Sequence, residues 1–282
     1  MIHIVTDSTA TMPADLVQKH NIAVVPLIVQ MGNQTFHEGV NLTQEEFFKR
    51  LPSAKPLPTT SQPSPADFQK TYENILNDSN ETEIISLHIS SELSMTYNSA
   101  LNGAKATQPD RISVVDTRTV SAGLALLVLL ATKMAEMGKS RAEIVKAIQS
   151  ASEQSQLLFT LDTLEYLRRG GRIGGARALI GSLLRIKPIL KLQDGRLEAG
   201  KRARSRRKAL QMIVEQLSGQ FSDQPLWVAI ADAQANDLNL FQTMLEEKLN
   251  VQEFMICQIG PVVATHAGPN TLGVAVMPAP RP

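Results

Sequence analysis

Met1-Ile2-His3-Ile4-Val5-Thr6-Asp7-Ser8-Thr9 opens the chain with a short apolar run that ends on hydroxyls and one carboxylate. It lacks the charged start and long apolar core of a secretory leader and reads as a first strand. Pro13 then stands in the first turn of a helix, residues 23–30 read as a second strand, and Gly32-Asn33 as a turn. Helical patterns at 45–51, 66–76, 93–106 and 121–137 alternate with buried-strand candidates at 83–89 and 111–115. Strands alternating with helices predict a mostly parallel sheet. From about residue 157 the pattern changes. Helical segments broken by glycines, 161–169 and 176–184, precede a hairpin that pairs 188–192 with 196–200 around Asp194-Gly195. A basic helix at 204–217, strands at 227–231, 254–259 and 273–277, and a helix at 238–249 complete a second unit with a mixed sheet. The predicted fold is α/β in two domains, residues 1–156 and 157–282, with a ligand between them.

Composition fits that reading and excludes several classes. The 282 residues, 43% hydrophobic and 20% charged, can bury a large core. A net charge of +1 gives no global pull toward nucleic acid or anionic membrane, so an electrostatic partner must meet a local patch. One cysteine, Cys257, rules out an internal disulfide framework and fits the cytoplasm. The most apolar run, residues 122–131, is cut by Lys133 and Glu136, short of the roughly 20 residues that span a bilayer. It predicts a buried helix and no stable membrane insertion.

Candidate chemistry gathers where strands hand over to helices. Thr6-Asp7-Ser8-Thr9, Ser90-Ser91-Glu92-Leu93-Ser94 and Asp116-Thr117 each follow a predicted strand. In an open α/β sheet such positions converge on the ligand crevice. Pro58-Thr59-Thr60-Ser61-Gln62-Pro63-Ser64-Pro65 adds hydroxyls before a helical pattern, where backbone N–H groups and the helix dipole accept an anion. Each cluster alone also serves as a helix cap. Several together, with few acids or bases, favour holding a small anion over transforming it.

These same residues carry a family resemblance along the whole chain. Thr6-Asp7-Ser8-Thr9, Thr60-Ser61-Gln62-Pro63-Ser64, Ser90 through Tyr97, Leu164 through Gly174, Ile186-Lys187-Pro188-Ile189-Leu190 and His266-Ala267-Gly268-Pro269, in that order, resemble the DegV family. The resemblance implies a two-domain α/β protein that buries one long-chain fatty acid between its domains. In the members it most resembles, a separate ATP-dependent fatty acid kinase phosphorylates the presented carboxylate. Matched residue by residue, the carboxylate would be held by Thr60, Ser61, Ser94 and His266, with Met95 and Arg172 in support. Neutral donors suit that task, because each hydrogen bond to a charged group contributes roughly 1.5–3 kcal/mol while leaving the carboxylate reactive. Met95 stands where the family usually has glycine and predicts a narrower pocket mouth. His266, after a strand and before Gly268-Pro269, is expected on a site loop.

The acyl tail is expected against Phe159, Leu184, Ile189 and Met277, all core residues by default. Lys201-Arg202-Ala203-Arg204-Ser205-Arg206-Arg207-Lys208 is the one dense charge run, and by resemblance Arg202 and Arg204 would dock the kinase. Two rival readings are weaker. A nucleic-acid regulator built on 201–208 would interleave aromatics to stack on bases, and none stand there. A hydrolase or phosphotransferase using Asp7 as nucleophile or metal ligand lacks a second acidic motif or histidines at metal spacing, so no catalytic residue, metal or cofactor is assigned. Gly171-Arg172-Ile173-Gly174-Gly175 is not a nucleotide loop, since no Gly-Lys-Thr or Gly-Lys-Ser ending follows.

Overall fold

The computed structural model describes residues 1–180 and 186–280. In chain order its first half comprises β1 (Ile2–Asp7), α1 (Ala14–Lys19), β2 (Ala23–Val25), β3 (Ile28–Met31), β4 (Gln34–His37), α2 (Gln44–Arg50), β5 (Thr59–Ser61), α3 (Pro65–Leu76), β6 (Glu83–His88), α4 (Thr96–Lys105), β7 (Ile112–Asp116) and α5 (Ala122–Glu136). The second half adds α6 (Arg141–Gln154), β8 (Gln156–Thr160), α7 (Glu165–Arg169), β9 (Lys187–Gln193), β10 (Arg196–Ala203), α8 (Arg206–Phe221), β11 (Leu226–Asp232), α9 (Leu238–Lys248), β12 (Val251–Gln258), α10 (Pro261–Ala267) and β13 (Leu272–Pro278).

A parallel sheet runs β2-β1-β6-β7, a mixed sheet runs β10-β9-β8-β13-β11-β12, and β4-β3-β5 forms a small antiparallel sheet. The parallel and mixed sheets are those the sequence predicts. The predicted single strand at 23–30 is two strands in different sheets. Pro26 has no N–H to continue a ladder, so the chain leaves the parallel sheet there and turns into the small one.

Between the two large sheets lies α5. Its residues Ala122 to Thr132 are buried on every side, as expected of a helix that is apolar all round. Ile4, Ile85, Leu87 and Val115 of the parallel sheet and Trp227, Ala229 and Met277 of the mixed sheet join α5 in one apolar cluster. The outer face of the parallel sheet is covered by α3 and α4 through Phe68, Tyr72 and Ala100. The outer face of the mixed sheet is covered by α8 and α9 through Leu210, Ile213 and Phe241. Among the described residues no helix is long and apolar enough to cross a membrane.

Several elements depart from the sequence reading. The helical segments expected at 161–169 and 176–184 are the short α7 and a 3-10 turn at Gly174–Leu179, and residues 181–185 lie outside the described residues. Residues 156–160 form a strand, and α6 and α10 are helices absent from the sequence reading.

Candidate functional site

The carboxyl ends of β1, β6 and β7 lie side by side, and a hydrogen-bonded set fixes them. Asp7 is fully buried. Its Oδ1 accepts the N–H of Thr9 at 3.0 Å and the Thr9 hydroxyl at 2.5 Å, while Oδ2 accepts the N–H of Ile89 at 3.0 Å. His88 Nδ1 lies 3.0 Å from Oδ2, His88 Nε2 lies 2.7 Å from Ser86 Oγ, and the Tyr72 hydroxyl donates to Ser86 at 2.9 Å. Ser86, His88 and Asp7 have the connectivity of nucleophile, base and acid. All three are fully buried, and none is among the described residues that line the cavity, so the set orders the strand ends that carry Thr9 and Ile89.

The hydroxyl clusters do meet at this edge, but most are engaged there. Ser90 Oγ donates to the Gly195 carbonyl at 2.8 Å, Ser91 Oγ to Asp116 at 2.5 Å and Thr117 Oγ1 to the His88 carbonyl at 2.7 Å. Ser64 caps α3 in a reciprocal pair with Asp67, which fills the helix terminus that the sequence offers as an anion acceptor. The Thr60 hydroxyl is aimed elsewhere, from β5.

Facing these ends, the mixed sheet and α10 complete a cavity with an empty volume of about 910 Å³ including its mouth. Its apolar walls come from both halves of the chain: Leu27, Ile89 and Val120 on one side, Leu157, Phe159 and Ile259 on the other. Its polar part gathers Thr60, Ser61, Gln62, Ser94, Arg172 and His266. The four residues matched to a carboxylate site therefore line one space.

Thr60 Oγ1 and His266 Nε2 are 2.7 Å apart. Thr60 is placed by its register opposite Val29 on β3, and His266 by the last turn of α10, a helix rather than the expected loop. Burial, reinforced by the Arg172 guanidinium, pushes the His266 ring down to about 4, so it is neutral at neutral pH. Ser94 Oγ lies 2.8 Å from Thr96 Oγ1 and accepts the Thr96 N–H at 3.3 Å. Arg172 spans the rim: its Nε donates to the Leu93 carbonyl at 3.1 Å and its Nη1 to the Gly170 carbonyl at 2.8 Å, tying the His266 side of the mouth to the Ser94 loop.

Other expectations need correction. Met95 does not line the cavity. The residue is 54% exposed, with Sδ 3.4 Å from Asn98 Nδ2, so it does not narrow the mouth. Of the tail candidates, Phe159 lines the cavity, and Leu184 lies outside the described residues. Ile189 packs in the outer cluster under α8, because it alternates with the inward Leu190 along β9. Met277 is on the inner face but is fully enclosed by the core around α5. Leu157, Ala231 and Gly273 line the space instead and were missed, although the period-2 alternation of β8, β11 and β13 assigns them inward.

The run 201–208 is not one solvated face. Arg202 and Arg204 are exposed, but Arg206 clasps Asp237 through Nε at 2.8 Å and Nη2 at 3.0 Å.

The fold is an α/β scaffold whose cavity has apolar walls and a polar head of hydroxyls, one imidazole and Arg172, a form suited to an amphiphile. The chain belongs to the DegV family: the family model described as an uncharacterised protein of that family matches residues 1–279. It is 38% identical over 281 residues to a DegV domain-containing protein of Deinococcus radiodurans, covering 98% of both chains. Among solved structures it is similar to a fatty-acid-binding DegV family protein of Thermus thermophilus, with a TM-score of 0.92, 35% identity and 99% of each chain covered. A second, DegV of Bacillus subtilis, a fatty acid binding protein, gives a TM-score of 0.88 at 30% identity, again over 99% of each chain.

Proposed function

We propose that this chain binds one long-chain fatty acid, tail in the cavity and carboxylate at Thr60, Ser61, Ser94 and His266, and presents that carboxylate to a separate ATP-dependent fatty acid kinase. The observation that carries the reading is the form of the cavity: apolar walls from the mixed sheet and from the segments that follow the parallel strands, ending at a Thr60–His266 pair 2.7 Å apart. The fatty acids named for the Thermus and Bacillus proteins support it. Burying a tail of fourteen methylenes is worth about 11 kcal/mol of gross transfer free energy, at about 0.8 kcal/mol per CH₂. The head group leaves water only if several donors replace it. Hydroxyls, with the neutral imidazole paired to Thr60 behind them, supply them without forming a tight ion pair, which keeps the carboxylate oxygen nucleophilic toward a phosphoryl donor.

In this reading the chain is a binding subunit, and the nucleotide belongs to the partner. The exposed Arg202 and Arg204 are the docking contacts, free of the internal clasp that occupies Arg206. Nucleic acid is not proposed as a partner, and the cytoplasm is the proposed location. The deciding experiment is mass spectrometry of lipid extracted from freshly purified protein, expected to find about one fatty acid per chain. Apo protein alone, with no mass shift after incubation with any C14 to C18 acid, would overturn the reading.

A further inference from the structure

Gly170 and Gly171 stand together after α7, and they are glycines for different reasons. Gly171 has φ +71° with open space around it, so its requirement is conformational. Gly170 has φ −74° and ψ −5°, which any residue adopts. Its requirement is room. A Cβ built on Gly170 would lie 2.9 Å from Cε1 of His266 and closer still to Nδ1. The contact is reciprocal: Gly268, just after α10, faces Tyr166 of α7, where a Cβ would lie 2.8 Å from Cε2. The two short helices therefore meet with a glycine under each ring.

This packing leaves His266 Nδ1 buried with no hydrogen-bond partner among the described residues. Nε2 is paired with Thr60 Oγ1. In a neutral ring one nitrogen carries the proton and the other a lone pair. A buried N–H without an acceptor is rarer in proteins than an underused acceptor. The proton therefore belongs on Nε2, donated to Thr60 Oγ1, and the bare lone pair lies against the Gly170 backbone. The direction of that bond decides what Thr60 offers the cavity. If the hydroxyl oxygen accepts from His266, its own O–H is free to donate. With the proton on Nδ1, Thr60 would donate to the ring and turn a lone pair toward an incoming carboxylate.

We infer that Gly170 is a positioning residue of the head-group site: by admitting the His266 ring with Nδ1 against bare backbone, it fixes the Nε2–H tautomer and points the Thr60 hydroxyl at the ligand. The inference rests on the fatty-acid reading for the identity of the ligand but not for the tautomer.

The test uses the full chain with ¹⁵N-labelled histidine, the His266 signals being assigned by their loss in H266A. Wild type is expected to carry the proton on Nε2, and G170A to lose that signature as the added methyl displaces the ring. Affinity for hexadecanoic acid should fall about tenfold or more in G170A, as for one lost hydrogen bond to a charged group. On the H266A background, where the methyl meets no ring, the same change should cost less than about twofold. A wild-type proton on Nδ1 overturns the inference, as does a G170A penalty equal in both backgrounds or a G170A protein with wild-type tautomer and affinity. Wild type that binds no long-chain acid while keeping the Nε2–H tautomer overturns the fatty-acid reading instead. If G170A fails to fold, the T60V variant serves: an Nε2–H signature retained without the Thr60 hydroxyl supports a tautomer set by the packing at Gly170, and a proton moved to Nδ1 overturns it.

Discussion

Replacing Glu38 by Gln should raise the stability of the protein at alkaline pH and leave it nearly unchanged at acid pH. Glu38 is 7% exposed and sits at the start of α10, the helix whose other end carries His266. Its Oε1 accepts the Val262 N–H at 2.8 Å, and its Oε2 is buried without a partner. Burial, opposed by hydrogen bonds from Ser8 and Val262 and assisted by the charge of Asp7, raises its carboxyl from 4.5 to about 7. At about 1.4 kcal/mol per unit, that is worth about 3 kcal/mol. The folded state holds this proton more tightly than the unfolded chain does. Its contribution is therefore complete below about 4.5 and is lost as the pH rises through about 7. His266 acts in the opposite sense: its pKa falls from 6.5 to about 4 on folding, so its contribution is complete above 6.5 and lost as the pH falls toward 4. The two slopes largely cancel in wild type between about pH 4.5 and 6.5. Urea unfolding of wild type and E38Q at a series of pH values isolates Glu38, because His266 drops out of the difference. The stability difference should grow in favour of E38Q by about 3 kcal/mol between pH 4.5 and 8. A difference flat to within about 0.5 kcal/mol across that range would refute the assignment of a buried, largely uncompensated carboxyl.

Other outcomes follow from the proposed function. Delipidated protein should melt at a lower temperature than protein as purified and recover on addition of hexadecanoic acid, checked by calorimetry, because a ligand bound only to the folded state stabilises it. T60A, S94A and H266A should each weaken fatty acid binding by about 1–3 kcal/mol and fatty alcohol binding by less, measured by titration; three variants with wild-type affinity would remove the site from these residues. The double reversal R202E/R204E should leave lipid affinity unchanged and slow acyl-phosphate formation with the cognate kinase, mainly through association that depends on salt. Unchanged turnover across salt would free these arginines from any docking role.

Much of the scaffold is legible from local signals. The runs that became β1, β6 and β7 are short, apolar and closed by turn chemistry, Asp194-Gly195 marks the β9–β10 hairpin, and α5 is apolar all round from Ala122 to Ala131. What escaped depends on packing or on signals left unread. The helix α10 has seven residues and is held by Glu38 at one end and by Tyr166 and Gly170 around the other, none of them near in sequence. Ser140 and Glu143 cap α6 reciprocally, a signature that was present and not used. The site divides the same way. Thr60, Ser61, Ser94 and His266 come from matched motifs, and the fold brings all four to one cavity. Ile189 fails as a tail contact because strand parity, which a residue-by-residue match does not weigh, turns it outward. Gly170 was invisible, since a glycine closing a helix reads as an ordinary cap.

The position of α5 constrains how anything enters or leaves. A cavity walled by the mixed sheet on one side and by the segments after the parallel strands on the other suggests a clam that gapes on a hinge, but here both large sheets pack against the same helix, buried from Ala122 to Thr132. Gaping would strip that helix of one of its two faces and expose the largest apolar cluster of the molecule to water. Traffic is thereby confined to the rim, where Arg172 laces the Leu93 carbonyl to that of Gly170. If the proposed ligand is bound, its release is timed by the breaking of a few rim bonds, so residence time can be set by rim residues independently of how tightly the walls grip.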